Sequence, residues 1–267
     1  KHRTIAVSDY RDRVVHHAVV NVLEPVFEKT FIADSYATRT GKGVHAAVYR
    51  AQHFLRRCEF FLKTDVEKFF DSIQHDRLLD ILARKIKDRP LLRLCERIVR
   101  HGGSGGRGLP IGNRTSQFFA NVYLDPLDHL LKDHLRTQGY VRYMDDFVLF
   151  DPDRRRLQEL LRAAEDFLAD KLDLRLKASA TFLNRRQNGL PFLGRRIFPG
   201  IIRLHTQRLR RITRRMAVLE RRHAAGDLND AAFLQSMNSY WAMLSVYPEL
   251  GPLRRTLARM PSGRGQP

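Results

Sequence analysis

Tyr140-Val-Arg-Tyr-Met-Asp-Asp-Phe-Val-Leu-Phe150 decides how this chain is read. Two runs of β-branched and aromatic residues flank two adjacent carboxylates, which predicts a β-hairpin with Asp145 and Asp146 at its tip. An isolated Asp-Asp is also the composition of a solvated turn, but the apolar flanks on both sides speak against that. Upstream, Phe60-Phe-Leu-Lys-Thr-Asp-Val66 is too short for a helix and apolar enough for a buried strand. Asp65 then sits at a strand end, although alone it reads equally well as a helix cap.

If both runs are central strands of one sheet, the three carboxylates come together, and they repel one another unless a cation is present. Magnesium suits such a set, because it takes one or two carboxylates and completes its shell with water and phosphate oxygens. A pair of ions ~4 Å apart serves in-line phosphoryl transfer.

The surrounding pattern is helical. A helix capped by Asp9 places Val15, Val19, Val22 and Leu23 on one face and is expected to end before Pro25. A basic, polar connector over 31–43 leads to a second helix over 44–57. Another runs from about 75 to 87 with Leu78, Leu82 and Ile86 in one stripe, and Pro90 marks its break. The glycine-rich stretch 101–108 lacks the Gly-Lys-Ser/Thr ending of a phosphate loop and is read as a plain loop. An apolar helix over 118–135 should be kinked or interrupted by Pro126. Leu157, Leu160, Leu161, Ala164, Phe167 and Leu168 repeat at helical spacing. This order of elements suits an α+β layer, with helices packed on an antiparallel sheet.

The charge balance is 48 Lys+Arg against 29 Asp+Glu, a net +19, with an isoelectric point near 10.6. A surplus that large points to a polyanionic partner, with nucleic acid ahead of a membrane surface. From Arg195 the chain becomes strongly basic, and Leu209, Ile212, Met216 and Leu219 form one apolar stripe, as expected of a helical unit that offers arginines on its other face. No apolar run approaches the ~20 residues a membrane-spanning helix needs. Cys58 and Cys95 form no CxxC pair and are read as reduced core residues of a cytoplasmic protein. The chain opens at Lys1 without Met and is read as a segment of a longer protein.

Taken together, Tyr143-Met-Asp-Asp146, the upstream Phe-Leu-Lys-Thr-Asp65-Val-Glu-Lys-Phe-Phe70-Asp and the downstream Gly189-Leu-Pro-Phe-Leu-Gly194 resemble the palm motifs of a bacterial reverse transcriptase, in the family's order and spacing. The likeness runs from about residue 3 to 194. It implies a right-hand polymerase: fingers over 1–57, palm over 58–194, a helical basic thumb over 195–260 and a tail over 261–267. It implies that Asp65, Asp145 and Asp146 hold two Mg²⁺ or Mn²⁺ ions, with the Val66 carbonyl as a further ligand. Phe70 matches the bulky gate against a ribose 2′-hydroxyl, and a core Phe is the plainer alternative. Arg3 resembles the fingers arginine that meets the incoming triphosphate. Phe192, Leu193 and Gly194 match the primer grip. Ser35 and Arg39, with Tyr36, Gly41 and Gly43, resemble a fingers segment that contacts the template. Lys177 is a candidate proton donor to pyrophosphate in a stretch that matches the family only in part.

Within the family, Ile111-Gly112 followed by Ser116-Gln117 stands where intron and retron enzymes carry Gln-Gly and Ser-Pro. That pattern resembles the reverse transcriptases of diversity-generating retroelements, which copy a template-repeat RNA with errors at adenine. A branched apolar Ile cannot hydrogen-bond the incoming sugar or template base as Gln can, so selectivity falls; a packed Ile is the alternative. The resemblance implies as partners a template RNA, a DNA or RNA primer, deoxynucleoside triphosphates and a small basic accessory protein, with no membrane. A group II intron or retron enzyme shares the chemistry. A catalytically silent RNA-binding scaffold for splicing is the rival from another class.

Overall fold

The computed structural model describes residues 8–245, without the side chains of 241 and 243–245. Arg3, the Trp241 side chain and the 261–267 tail fall outside the described residues. The chain divides into two compact units after Arg186.

In the first unit, α1 (Tyr10–Glu28) is capped by the Asp9 side chain, and α2 (Val44–Arg57) has the bounds its sequence predicts. Strand β1 (Phe60–Asp65) leads into the short α3 (Phe69–Ser72), then α4 (His75–Lys85) and α5 (Arg89–His101). Helix α6 (Arg114–His129) continues into a widened π-helical turn, Leu130–His134. The hairpin β2 (Gly139–Tyr143) and β3 (Asp146–Asp151) follows, then α7 (Arg154–Leu172) and β4 (Phe182–Arg185).

Proline changes three of these elements from their expected form. Helix α1 does not end before Pro25 but runs through it to Glu28, and it buries Val19, Val20, Leu23 and Phe27 while leaving Val15 and Val22 exposed. Packing of that stripe against α6 outweighs the one backbone bond that Pro25 cannot donate. Helix α4 ends at Lys85, five residues before Pro90, and Pro90 instead opens α5, a helix not expected from the sequence. It sits in the first turn, where no N–H is needed, behind the Asp88 side chain that accepts from the Leu91 amide at 2.7 Å. Helix α6 starts four residues earlier than expected and passes through Pro126 before it widens.

The sheet order is β2-β3-β1-β4, antiparallel at every pairing, so β1 and β3 are central. Leu62, Tyr140, Phe147 and Leu149 of the sheet, with Phe118, Phe119, Val122, Leu124 and Leu127 of α6 and Leu157, Leu160, Ala164 and Leu168 of α7, make one core. Helices on an antiparallel sheet are the predicted α+β layer. Cys58 and Cys95 are buried free thiols, both pushed up to about 11 by burial.

The second unit holds a three-stranded antiparallel sheet, β5 (Leu190–Phe192), β6 (Arg195–Ile197) and β7 (Ile202–Leu204), and two helices, α8 (Thr206–Ala224) and α9 (Asp230–Ser245). Ile212 and Met216 of α8 bury against Phe233 and Met237 of α9, with Leu209 and Leu219 packed alongside. The apolar stripe therefore faces inward, and arginines 210, 211, 214, 215 and 222 of α8 stay at least partly exposed.

Candidate active site

The register of β1 against β3 makes Asp65 and Asp146 direct partners. Asp145 lies in the turn beside them, and its carbonyl accepts a hydrogen bond from the Val66 amide at 3.2 Å. Three carboxylate residues from sequence positions some eighty apart thus meet at one end of two neighbouring central strands. The turn is tight. Tyr143 pairs with Asp146, and Met144 between them takes a left-handed φ of 60°, a conformation that costs a non-glycine residue about 1–2 kcal/mol.

Asp146 is mostly buried. The Lys63 ammonium stands 2.8 Å from its Oδ1 as a close ion pair. Burial pushes the Asp146 carboxyl up to about 6; Lys63 pulls it down, while Asp65 and Asp145 add to the rise. Lys63 was not singled out in the sequence, yet its place two residues before Asp65 on one strand puts both on the same face.

The donors suit a hard divalent cation: carboxylate oxygens at adjoining strand ends, one of them buried and met by the Lys63 ammonium alone. Among the described residues no three acidic, His or Cys side chains form a ready-made metal cluster. The backbone brings the three residues together while the side chains stop short of a closed cage, as expected where like charges repel and Lys63 already faces one oxygen. Beside Asp65, Glu67 donates to the Arg175 carbonyl and Lys177 donates to the Asp65 carbonyl, both at 2.8 Å. These bonds bypass the Val66 carbonyl, and they bring the Lys177 backbone against the carboxylate end of β1.

The other predicted residues lie on several different elements. Phe70 is half-buried on α3, its ring against that of Phe69, with its carbonyl accepting from the Leu109 amide. Ile111 is half-buried in the turn before α6, next to Gly112 at φ 126°. Ser116 is buried in the first turn of α6, and Gln117 is half-buried. Ser35 is fully buried, and its hydroxyl lacks a hydrogen bond. Arg39 turns inward: it pairs with Glu28 at 2.6 Å and donates to the carbonyls of Ile32 at 2.6 Å and Ser35 at 2.9 Å. In the second unit, Phe192 is buried, and Leu193 and Gly194 form a turn with φ of 50° and 74°.

Beneath the carboxylate turn lies a network the sequence reading missed. Arg142 and Asp128 form a fully buried ion pair at 2.5 Å, and Tyr140 donates to Asp128 at 2.7 Å. The signal was an arginine in the otherwise apolar strand Tyr140–Tyr143.

Known proteins resemble this chain in sequence and in fold. Residues 1–197 match the family model described as "Reverse transcriptase (RNA-dependent DNA polymerase)". Protein YkfC of Escherichia coli (strain K12) is 24% identical over 241 residues, which cover 74% of this chain and 63% of YkfC. The group II intron-encoded protein LtrA of Lactococcus lactis subsp. cremoris is 27% identical over 135 residues, covering 48% of this chain and 22% of LtrA. The chain therefore spans only part of the curated relatives it matches. Among solved structures, apo telomerase from Candida tropicalis superposes with a TM-score of 0.57 at 11% identity, over 72% of this chain and 40% of that one, a likeness of fold. Three carboxylates at one end of paired palm strands, in a chain matched over most of its length by that model, make this protein a member of the reverse transcriptase family.

Proposed function

We propose that this chain copies an RNA template into DNA, adding deoxynucleotides to a primer 3′-hydroxyl. The observation that carries the reading is the pairing of Asp65 with Asp146, with Asp145 bonded through its carbonyl to Val66. Asp65, Asp145, Asp146 and the Val66 carbonyl would hold divalent cations, Mg²⁺ or Mn²⁺. Such ions, when bound, lower the pKa of the primer hydroxyl and neutralise charge on the phosphates. The chain's own residues do the rest. The carboxylates present fixed negative charge where the cations are needed. Phe70 fills the space a ribose 2′-hydroxyl would need. Arg3 meets the triphosphate. The Phe192-Leu193-Gly194 turn lets backbone approach the primer end. The arginines of α8 track duplex phosphates, which gives a salt-dependent, sequence-independent affinity.

The finer assignment is a polymerase of the diversity-generating retroelement type, error-prone at template adenine and working with a small basic accessory protein. Support for it lies in Ile111-Gly112 and Ser116-Gln117 at the turn before α6 and its first turn. An intron-type enzyme is the second reading, favoured by the likeness to the group II intron-encoded protein. The test is Mg²⁺-dependent extension of a DNA primer on a defined RNA template, with the products sequenced. Errors concentrated at adenine are expected. Accurate cDNA moves the chain to the intron type, and no cDNA in the presence of its accessory protein overturns the polymerase reading in favour of an RNA-binding scaffold.

A further inference from the structure

The Arg142 side chain is fully buried and committed in three directions. Its Nε and Nη2 donate to the two oxygens of Asp128, at 2.7 and 2.5 Å. Its Nη1 donates both to Oδ1 of Asn121 and to the carbonyl of Met144, each at 3.0 Å. Met144 is the left-handed residue of the turn that carries Asp145 and Asp146. On the other side, Nδ2 of Asn121 donates to the Ala37 carbonyl at 2.8 Å and to Oγ1 of Thr38 at 3.0 Å. The Arg142 backbone is tied to the same segment: its amide donates to the Asp34 carbonyl and its carbonyl accepts from the Tyr36 amide, both at 2.9 Å.

We propose that Arg142 is a positioning residue for the carboxylate site: anchored on Asp128, it pins the Met144 carbonyl and so sets the turn that presents Asp145 and Asp146, and through Asn121 it locks that turn to the Asp34–Thr38 segment. The proposal rests on the reading of those aspartates as metal ligands.

Three physical points support it. A buried guanidinium is costly unless its donors are met, and a buried ion pair can often be exchanged for well-packed apolar residues without loss. Stability alone therefore does not call for an arginine here, whereas geometry does. A left-handed non-glycine residue persists only where its surroundings over-determine it, and the bond to the Met144 carbonyl is such a constraint. Finally, only a planar fork with several donors can hold Asp128, Asn121 and Met144 at once; a lysine ammonium cannot reach all three. The consequence is that the segment Asp34–Thr38, in which the family resemblance places template contacts, and the turn bearing two of the three aspartates share one rigid side chain.

The test compares wild type with Arg142→Lys, which keeps the charge opposite Asp128, and with Asn121→Ala, which keeps the Arg142–Asp128 pair and removes the tether to Ala37 and Thr38. Folding is checked by circular dichroism and thermal melting. If Arg142→Lys does not fold, Asn121→Ala carries the comparison. Two quantities are read: the dissociation constant of the carboxylate site for Tb³⁺, by sensitised luminescence with Mg²⁺ competition, and the split of primer extension into kcat and KM. Expected are a severalfold weaker ion affinity and a kcat lower by roughly 10–100-fold, with KM for nucleotide and the affinity for template–primer within about twofold. Folded variants with wild-type ion affinity and kcat overturn the proposal, as does a loss confined to template–primer affinity. A wild-type protein that binds the ion but makes no cDNA fails the polymerase reading alone, because the luminescence titration still decides the role of Arg142.

Discussion

Lys63 places its ammonium 2.8 Å from the carboxylate of Asp146, at the strand end where a divalent cation would sit. The pair is largely sheltered from solvent, so its charges are weakly screened. Lys63 therefore opposes the entry of a second cation. At pH 8, Lys63→Met is expected to lower the Tb³⁺ and Mg²⁺ dissociation constants of the carboxylate site severalfold. A weaker ion affinity in the variant would show that Lys63 supports the site rather than competing in it.

The titration of Asp146 gives a pH prediction with a definite sign. Burial raises its carboxyl to about 6, above the ordinary carboxylate value, so the folded, metal-free protein binds the proton more tightly than the unfolded chain. That group's destabilisation is absent at low pH, grows as pH rises towards 6 and is complete above it. Asp146→Asn, which cannot ionise, is expected to gain about 3 kcal/mol over wild type in EDTA at pH 7.5 and to lose that gain near pH 3.5. Urea denaturation at the two pH values checks it. A variant less stable than wild type at both would contradict the assignment.

Asp145→Asn and Asp146→Asn are each expected to abolish primer extension while RNA affinity, measured by filter binding, changes by less than about twofold. On the proposed reading RNA affinity comes from the basic side chains that meet phosphates, and the carboxylates take no part in it. Activity retained in both variants would remove the carboxylates from the mechanism.

Asp128 is the only acidic side chain that hydrogen-bonds the Arg142 guanidinium among the described residues. Asp128→Asn strands a buried charge, and stability should fall by about 3–5 kcal/mol in denaturant titration. A loss below about 1 kcal/mol would mean that the network is not a closed buried unit.

Phe70 is half-buried, packed on Phe69 yet not enclosed. Phe70→Val should raise incorporation of ribonucleotides relative to deoxynucleotides at least tenfold, read from extension with each nucleotide type, with a stability cost of about 1 kcal/mol. An unchanged ratio would return Phe70 to the core.

Much of this molecule was legible in its local sequence. The two short runs of β-branched and aromatic residues that flank Asp145-Asp146 read as a hairpin, because they are too brief for a helix and fit buried strands. The bounds of α2 and the inward stripe of α8 follow in the same way from helical periodicity. The prolines were ambiguous: Pro25 and Pro126 lie inside helices and Pro90 begins one, because the loss of a single backbone bond is set against packing that only distant segments supply. The pairing of Asp65 with Asp146, the approach of Lys63 to that pair and the reach of Arg142 to Asp128, Asn121 and Met144 were decided by the tertiary structure. Periodicity determines which face a residue occupies, whereas partners far apart in sequence meet only where the sheet register and helix packing bring them together.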